Sequence, residues 1–139
     1  MFKISHELPV NMLSRSFEIN DYEYCLPHLL DQNKIYREHF ENAKESGSYI
    51  IMDNSLHELG KAYDTKRLLH WVNHLEPNEF IVPDVWQNKS LTLVNAKRWL
   101  DIELPENTTK VAVVQASDYA EAYECYHILK NHHGYKKIA

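Results

Sequence analysis

Short, continuous apolar runs alternate along this chain with longer stretches of helical spacing. The runs are YIIM (49–52), FIV (80–82) and VAVV (111–114). None shows the in–out alternation of a half-exposed strand, so each reads as a strand buried on both faces, as in a parallel sheet. FKI (2–4) reads as a short strand opening the fold, and YKKIA (135–139) as the beginning of another.

The stretches between the runs predict helices. Residues 33–46 place Tyr36, Phe40 and Ala43 on one face, with Gly47 as the C′ stop. Residues 65–75 put Leu68, Trp71, Val72 and Leu75 in one stripe, with Asp64 as N-cap and Pro77 beyond the end. Residues 89–100 form a third helix capped by Asn88. Residues 118–130 form a fourth, capped by Ser117, with Asp118 and Glu121 in the first turn, where acids are favoured. Its expected buried stripe is Tyr119, Ala122, Tyr126 and Leu129. Residues 21–31 read as a loop or a short helix interrupted at Pro27.

The order is therefore strand–helix, four times, then the start of a fifth strand. Such an order predicts right-handed crossovers and a parallel sheet. Two α/β architectures fit: an open doubly wound sheet and the first half of a (β/α)8 barrel. Gly47, Gly60 and Gly134 are the only glycines, so there is no G-x-G-x-x-G and no Walker A loop. That counts against dinucleotide-binding and P-loop versions of the open sheet. A whole barrel needs about 250 residues, and the chain has 139. The expectation is a single domain over 1–139, about half of a TIM-like barrel.

Composition narrows the function classes. A hydrophobic share of 44% with 25% charged residues suits a folded globular domain. The formal net charge of −5 makes a stand-alone nucleic-acid binder a poor candidate, because neutralising phosphates needs clustered Lys and Arg. Cys25 and Cys125 lie too far apart for a zinc motif or a disulfide framework, and both sit among aromatic and apolar residues. Buried free thiols are expected. The opening MFKISHELPV lacks a basic region followed by an apolar stretch, and no run approaches the ~20 residues that cross a bilayer. No membrane partner is expected, and a reducing cytoplasmic setting fits.

Three strand candidates end in the same way. Asp53 follows YIIM, Asp84 follows FIVP and Gln115 follows VAVV. In parallel α/β folds, sites form at the C-terminal ends of the strands. Two carboxylates on one rim can divide acid and base roles or bind a donor-rich ring edge, and an amide adds a donor and an acceptor. The plainer reading is local, since Asp and Asn at strand ends make turns and caps. His6, just after FKI, belongs to the same rim as a ligand contact or proton relay. Trp86, two positions beyond Asp84, is placed to stack on a flat base, whereas Trp71 and Trp99 read as packing residues. His57 and Glu58 lack any zinc spacing, so no metal site is expected in this chain.

Taken in order, these tips resemble the queuine/archaeosine tRNA-guanine transglycosylase superfamily, most of all the small phage and bacterial members linked to 7-deazaguanine modification of nucleic acids. The matching residues are Asp53-Asn54-Ser55, Asp84 and Val114-Gln115-Ala116. Ser55 and Ala116 stand where the family has glycine, and either side chain is expected to narrow the pocket. The resemblance implies a (β/α)8 barrel and pentosyl transfer, with guanine or a deazaguanine exchanged at an N-glycosidic bond in tRNA or DNA. It implies that Asp53 is the general acid/base and that Asp84 and Gln115 read the base, with Asn54, Ser55, Trp86 and His6 around it. The family's nucleophilic aspartate and its Cys/His zinc ligands lie in later strands, so this chain corresponds to the N-terminal half. The nucleophile and the cover for exposed sheet edges would come from a C-terminal half or a further copy. A phage origin would place it in the host cytoplasm. Two other readings stay open: a different barrel hydrolase or lyase acting on a small polar substrate, and a non-catalytic module binding a base, a nucleic acid or a protein.

Overall fold

Five parallel strands lie side by side in chain order: β1 (Glu23–Cys25), β2 (Ile50–Met52), β3 (Glu79–Ile81), β4 (Thr109–Ala112) and β5 (Lys137–Ile138). The computed structural model describes residues 2–139. A 3-10 turn (Val10–Arg15) and the short helix α1 (Ser16–Ile19) precede the sheet. Helices α2 (Pro27–Gln32) and α3 (Lys34–Glu45) join β1 to β2. Helices α4 (Leu56–Leu59) and α5 (Thr65–Leu75) join β2 to β3. Helix α6 (Lys89–Leu100) joins β3 to β4. Helix α7 (Tyr119–His127) and a π turn (Ile128–His132) lead to β5.

A doubly wound sheet reverses its strand order at a switch point. This sheet has no reversal. With right-handed crossovers, such an order lays the helices on one face. Cys25, Ile50, Met52, Phe80 and Ala112 join the core with Phe40, Leu68, Val72, Trp99 and Leu129 of the helices. The alternate positions Tyr24, Ile51, Ile81 and Val113 are half-buried on the other face. Apolar residues at both parities explain why the strands read as continuous runs rather than alternating ones.

The helix stops and starts follow local chemistry. Asn33, Asp64 and Asn88 cap α3, α5 and α6, each accepting from the N–H three residues on. After α3 the N–H of Gly47 bonds the Lys44 carbonyl and that of Ser48 the Ala43 carbonyl. This closure needs a left-handed residue at Gly47, where φ is 74°. Trp71 and Trp99 are buried packing residues, and Cys25 and Cys125 are buried free thiols. No helix among the described residues is long and apolar enough to cross a membrane.

Two expectations fail. FKI (2–4) is not a strand: Phe2 is 97% exposed, and Ile4 exchanges hydrogen bonds with Asp21 instead of joining the sheet. The first strand lies in the 21–31 segment. It was hidden because its apolar run, Tyr24–Leu26, holds no β-branched residue and follows a charged residue, Glu23, at a buried position. That carboxylate is buried at low cost because Ser16 Oγ donates to it at 2.5 Å and His39 Nε2 lies 3.0 Å away. The second failure is in α7. Asp118, not Ser117, is its cap, and Ser117 instead donates from its N–H and hydroxyl to Glu121. Tyr119 is solvent-exposed and Tyr126 is about one-third exposed, while Cys125 and Leu129 carry the burial.

Candidate functional site

The tips of β2, β3 and β4 converge on one cavity of about 380 Å³. That lies within the range of small-molecule sites, about 300–1,000 Å³. Asp53, Asn54, Asp84, Trp86 and Gln115 all line it. Parallel strands in register bring tips that are about 30 residues apart in sequence onto the same rim, which is how the three acid and amide tips meet.

Asp84 is the most constrained of them. It is 5% exposed. Asn54 Nδ2 donates to its Oδ1 at 2.7 Å, and Gln115 Nε2 donates to its Oδ2 at 2.6 Å. The Gln87 N–H donates to Gln115 Oε1 at 2.9 Å, which fixes the NH2 end of that amide toward Asp84. Asn54 is fixed likewise: its Nδ2 also donates to the Val82 carbonyl, and its Oδ1 accepts from the Leu56 N–H. Each carboxylate oxygen keeps acceptor capacity for an incoming donor. The sequence reading has Gln115 contact the base directly. The structure gives it a prior task, since one of its N–H groups holds Asp84.

Asp53 combines the two readings open at the sequence level. Its Oδ2 accepts from the Ser55 N–H at 2.9 Å, an Asx turn, and its Oδ1 accepts from the Tyr24 hydroxyl at 3.1 Å. It is half-buried and lines the cavity as well. Burial pushes its carboxyl above the usual value, while the Ser55 and Asn54 N–H groups and Tyr24 hold the rise back. Burial and then the Asp53 charge push the Tyr24 hydroxyl far upward, so it remains a donor. Glu7 at the cavity wall is also raised, first by partial burial and then by the charges of Glu58 and Asp53. The cavity is thus acidic, and two of its carboxyl groups, Asp53 and Glu7, accept protons more readily than free ones.

Trp86 is 61% exposed while lining the cavity, and its ring lies 6.3 Å from that of His57. A large indole left in water beside a pocket whose lining is mostly apolar suits a stacking surface.

Two expected contacts do not reach the cavity. His6 is exposed, and its backbone is tied to the Asn20 amide. It lost its place because residues 2–4 are not a strand, and its neighbour Glu7 lines the cavity instead. Ser55 is fully buried and its hydroxyl turns away, 2.8 Å from His28 Nδ1. It does not narrow the pocket. Its φ of 62° shows that the position demands a left-handed backbone, which glycine meets without strain.

Glu7, Tyr24 and His28 escaped sequence reasoning. Tyr24 is the half-buried residue between the buried Glu23 and Cys25, and with β1 unrecognised its place on the rim was not legible. His28 gave no signal, because its partner lies 27 positions away. Among the described residues no three His, Cys, Asp or Glu side chains are grouped to hold a metal ion.

No family model, curated protein or solved structure matches this chain.

Proposed function

We propose that this chain is the base-recognising part of a transglycosylase that exchanges guanine or a 7-deazaguanine at an N-glycosidic bond in tRNA or DNA. In this reading the five strands belong to a (β/α)8 barrel, whose remaining strands come from outside this chain and cover its open edges. The observation that carries the reading is Asp84. It is a buried carboxylate with both oxygens oriented by amides, in a cavity that also holds Asp53 and Trp86. Guanine presents N1–H and an exocyclic amine side by side, a pair of donors that suits an oriented carboxylate. Adenine presents one donor and one acceptor on that edge.

Asp53 handles the proton on the leaving and entering base, the role of a carboxyl whose value burial has raised. Trp86 stacks on the ring. The base must leave its stack to reach the cavity, so the substrate is a flipped or single-stranded nucleotide. Exchange also needs a carboxylate to attack C1′ and hold the sugar. Asp53 and Asp84 are committed to other tasks, so this reading takes the nucleophile from the other part of the barrel.

Calorimetric titration tests it. Guanine and 7-deazaguanine should bind and adenine should not. Asp84→Asn, checked for folding by circular dichroism, should lose at least about 10-fold in guanine affinity, since a site built to pair with donors discriminates strongly. Equal binding of guanine and adenine, or unchanged affinity in folded Asp84→Asn, would remove the reading.

A further inference from the structure

A second cavity of about 460 Å³ adjoins the first. Trp86 and Gln115 line both. Its far wall is formed by Ser117, Asp118 and Tyr119 at the start of α7, and Tyr119 is 85% exposed. Sequence periodicity assigns Tyr119 to the core, and the structure places it in solvent instead. The cavity therefore has two large aromatic side chains in its lining, Trp86 shared with the first cavity and Tyr119 belonging to the second alone.

Charge decides what such a place can hold. Asp118 and Glu121 stand at the start of α7, and Glu7, Asp53 and Glu58 surround the neighbouring cavity. The nearby cation Lys89 is already paired with Glu124 at 2.5 Å. Among the described residues no Lys or Arg lines this cavity, so a groove that tracks a nucleic-acid backbone is the wrong description. Ring faces are what the site offers. Aromatic side chains stack on any base, whatever its edge pattern.

We infer that the second cavity seats the nucleobase adjacent in the strand to the one in the first cavity, stacked against Trp86 and Tyr119 with its phosphate directed to solvent. This rests on reading the first cavity as a base site. One oxygen of Asp118 is spent on the Glu121 N–H at 2.9 Å. The other accepts from no group among the described residues and suits an exocyclic amine, so adenine, cytosine or guanine is favoured over thymine as the neighbour.

The test is a fluorescence titration with two probes, guanosine and a single-stranded hexanucleotide carrying one guanine. The hexanucleotide should bind at least about ten-fold more tightly than guanosine, a gain in the range expected for one stacked base. Tyr119→Ala should abolish that gain, leave guanosine affinity unchanged and leave the melting temperature unchanged. The gain should fall little between low and moderate salt, because few phosphates are neutralised. Tyr119→Ala that leaves hexanucleotide binding intact overturns the inference, and so does a steep salt dependence of the gain. Guanosine binding without any gain for the hexanucleotide sinks the second cavity alone and assigns Tyr119 to another occupant, such as a protein surface. Failure of both probes to bind sinks the first cavity's reading together with this one.

Discussion

Gln115 Nε2 sits 2.6 Å from Asp84 Oδ2, so the tip of β4 holds the carboxylate at the tip of β3. The bond joins two buried or half-buried groups 31 positions apart. Removing the amide leaves a buried carboxylate oxygen short of a partner, which costs about 1–3 kcal/mol. Gln115→Ala should therefore lower the unfolding free energy by about that much in urea denaturation, and Asn54→Ala by a similar amount. Gln115→Glu should be worse than Gln115→Ala near neutral pH, because it sets two carboxylates against each other.

Ser55 allows its backbone strain to be separated from its hydrogen bond. Ser55→Ala and Ser55→Gly both strip His28 of its partner, but only glycine is at ease at φ 62°. The alanine variant should be less stable than wild type by about 1–3 kcal/mol, from the orphaned buried imidazole nitrogen. The glycine variant should recover about 1 kcal/mol of that, the usual cost of a left-handed residue with a side chain. Denaturant melts of the two variants measure the difference. Equal stability would place the strain elsewhere.

Asp53 and Glu23 should give opposite pH signatures. The folded-state value of Asp53 is raised, so the folded chain holds its proton more tightly than the unfolded chain. Stability is then lost as pH rises from the unfolded value, near 3.8, through the raised folded value, and the loss is constant above it. Asp53→Asn should therefore match or exceed wild-type stability at pH 7, with the difference shrinking below about pH 4. Its guanine affinity should nonetheless fall. Burial alone would raise Glu23 too, but the hydrogen bonds from His39 and Ser16 together outweigh it and hold its carboxyl below the usual value. Its contribution is fully present above the unfolded value near 4.5 and is lost as pH falls through the lower folded value. Urea melts across pH 3–7 on Asp53→Asn and Glu23→Gln separate the two.

Trp86→Ala should leave the melting temperature unchanged, because the indole is mostly in water. It should cost about 0.5–1.5 kcal/mol of base affinity, the usual worth of one aromatic stack. A large loss of stability would show that the ring is a packing residue after all.

The parts of this molecule that were legible from sequence are those where one chemical demand acted alone. Strands β2, β3 and β4 were legible from the apolar runs that fill β2 and close β3 and β4 after their polar first residues, Glu79 and Thr109-Lys110, and the polar tips stood out by contrast. The caps Asp64 and Asn88 were legible because an N-cap is satisfied within three residues of itself. Strand β1 was not, because its apolar run, Tyr24–Leu26, holds no β-branched residue, and the partners that make the burial of Glu23 tolerable, Ser16 and His39, lie 7 and 16 positions away. FKI misled because apolar composition says nothing about whether a sheet neighbour exists. In the site, the meeting of Asp53, Asp84 and Gln115 followed from their shared place after buried runs. The bonds among them did not, nor did the turn of Ser55 toward His28, since both depend on rotamers fixed by residues distant in sequence.

The central claim is that Asp84 reads a guanine-type base, and a crystal structure of this chain grown with guanine tests it most directly. The account predicts the purine in the cavity between the β2, β3 and β4 tips, N1–H and the exocyclic amine about 2.7–3.2 Å from the Asp84 oxygens, and the Trp86 ring against its face. Guanine bound with its donor edge away from Asp84, or seated anywhere else on the molecule at saturating concentration, would contradict it.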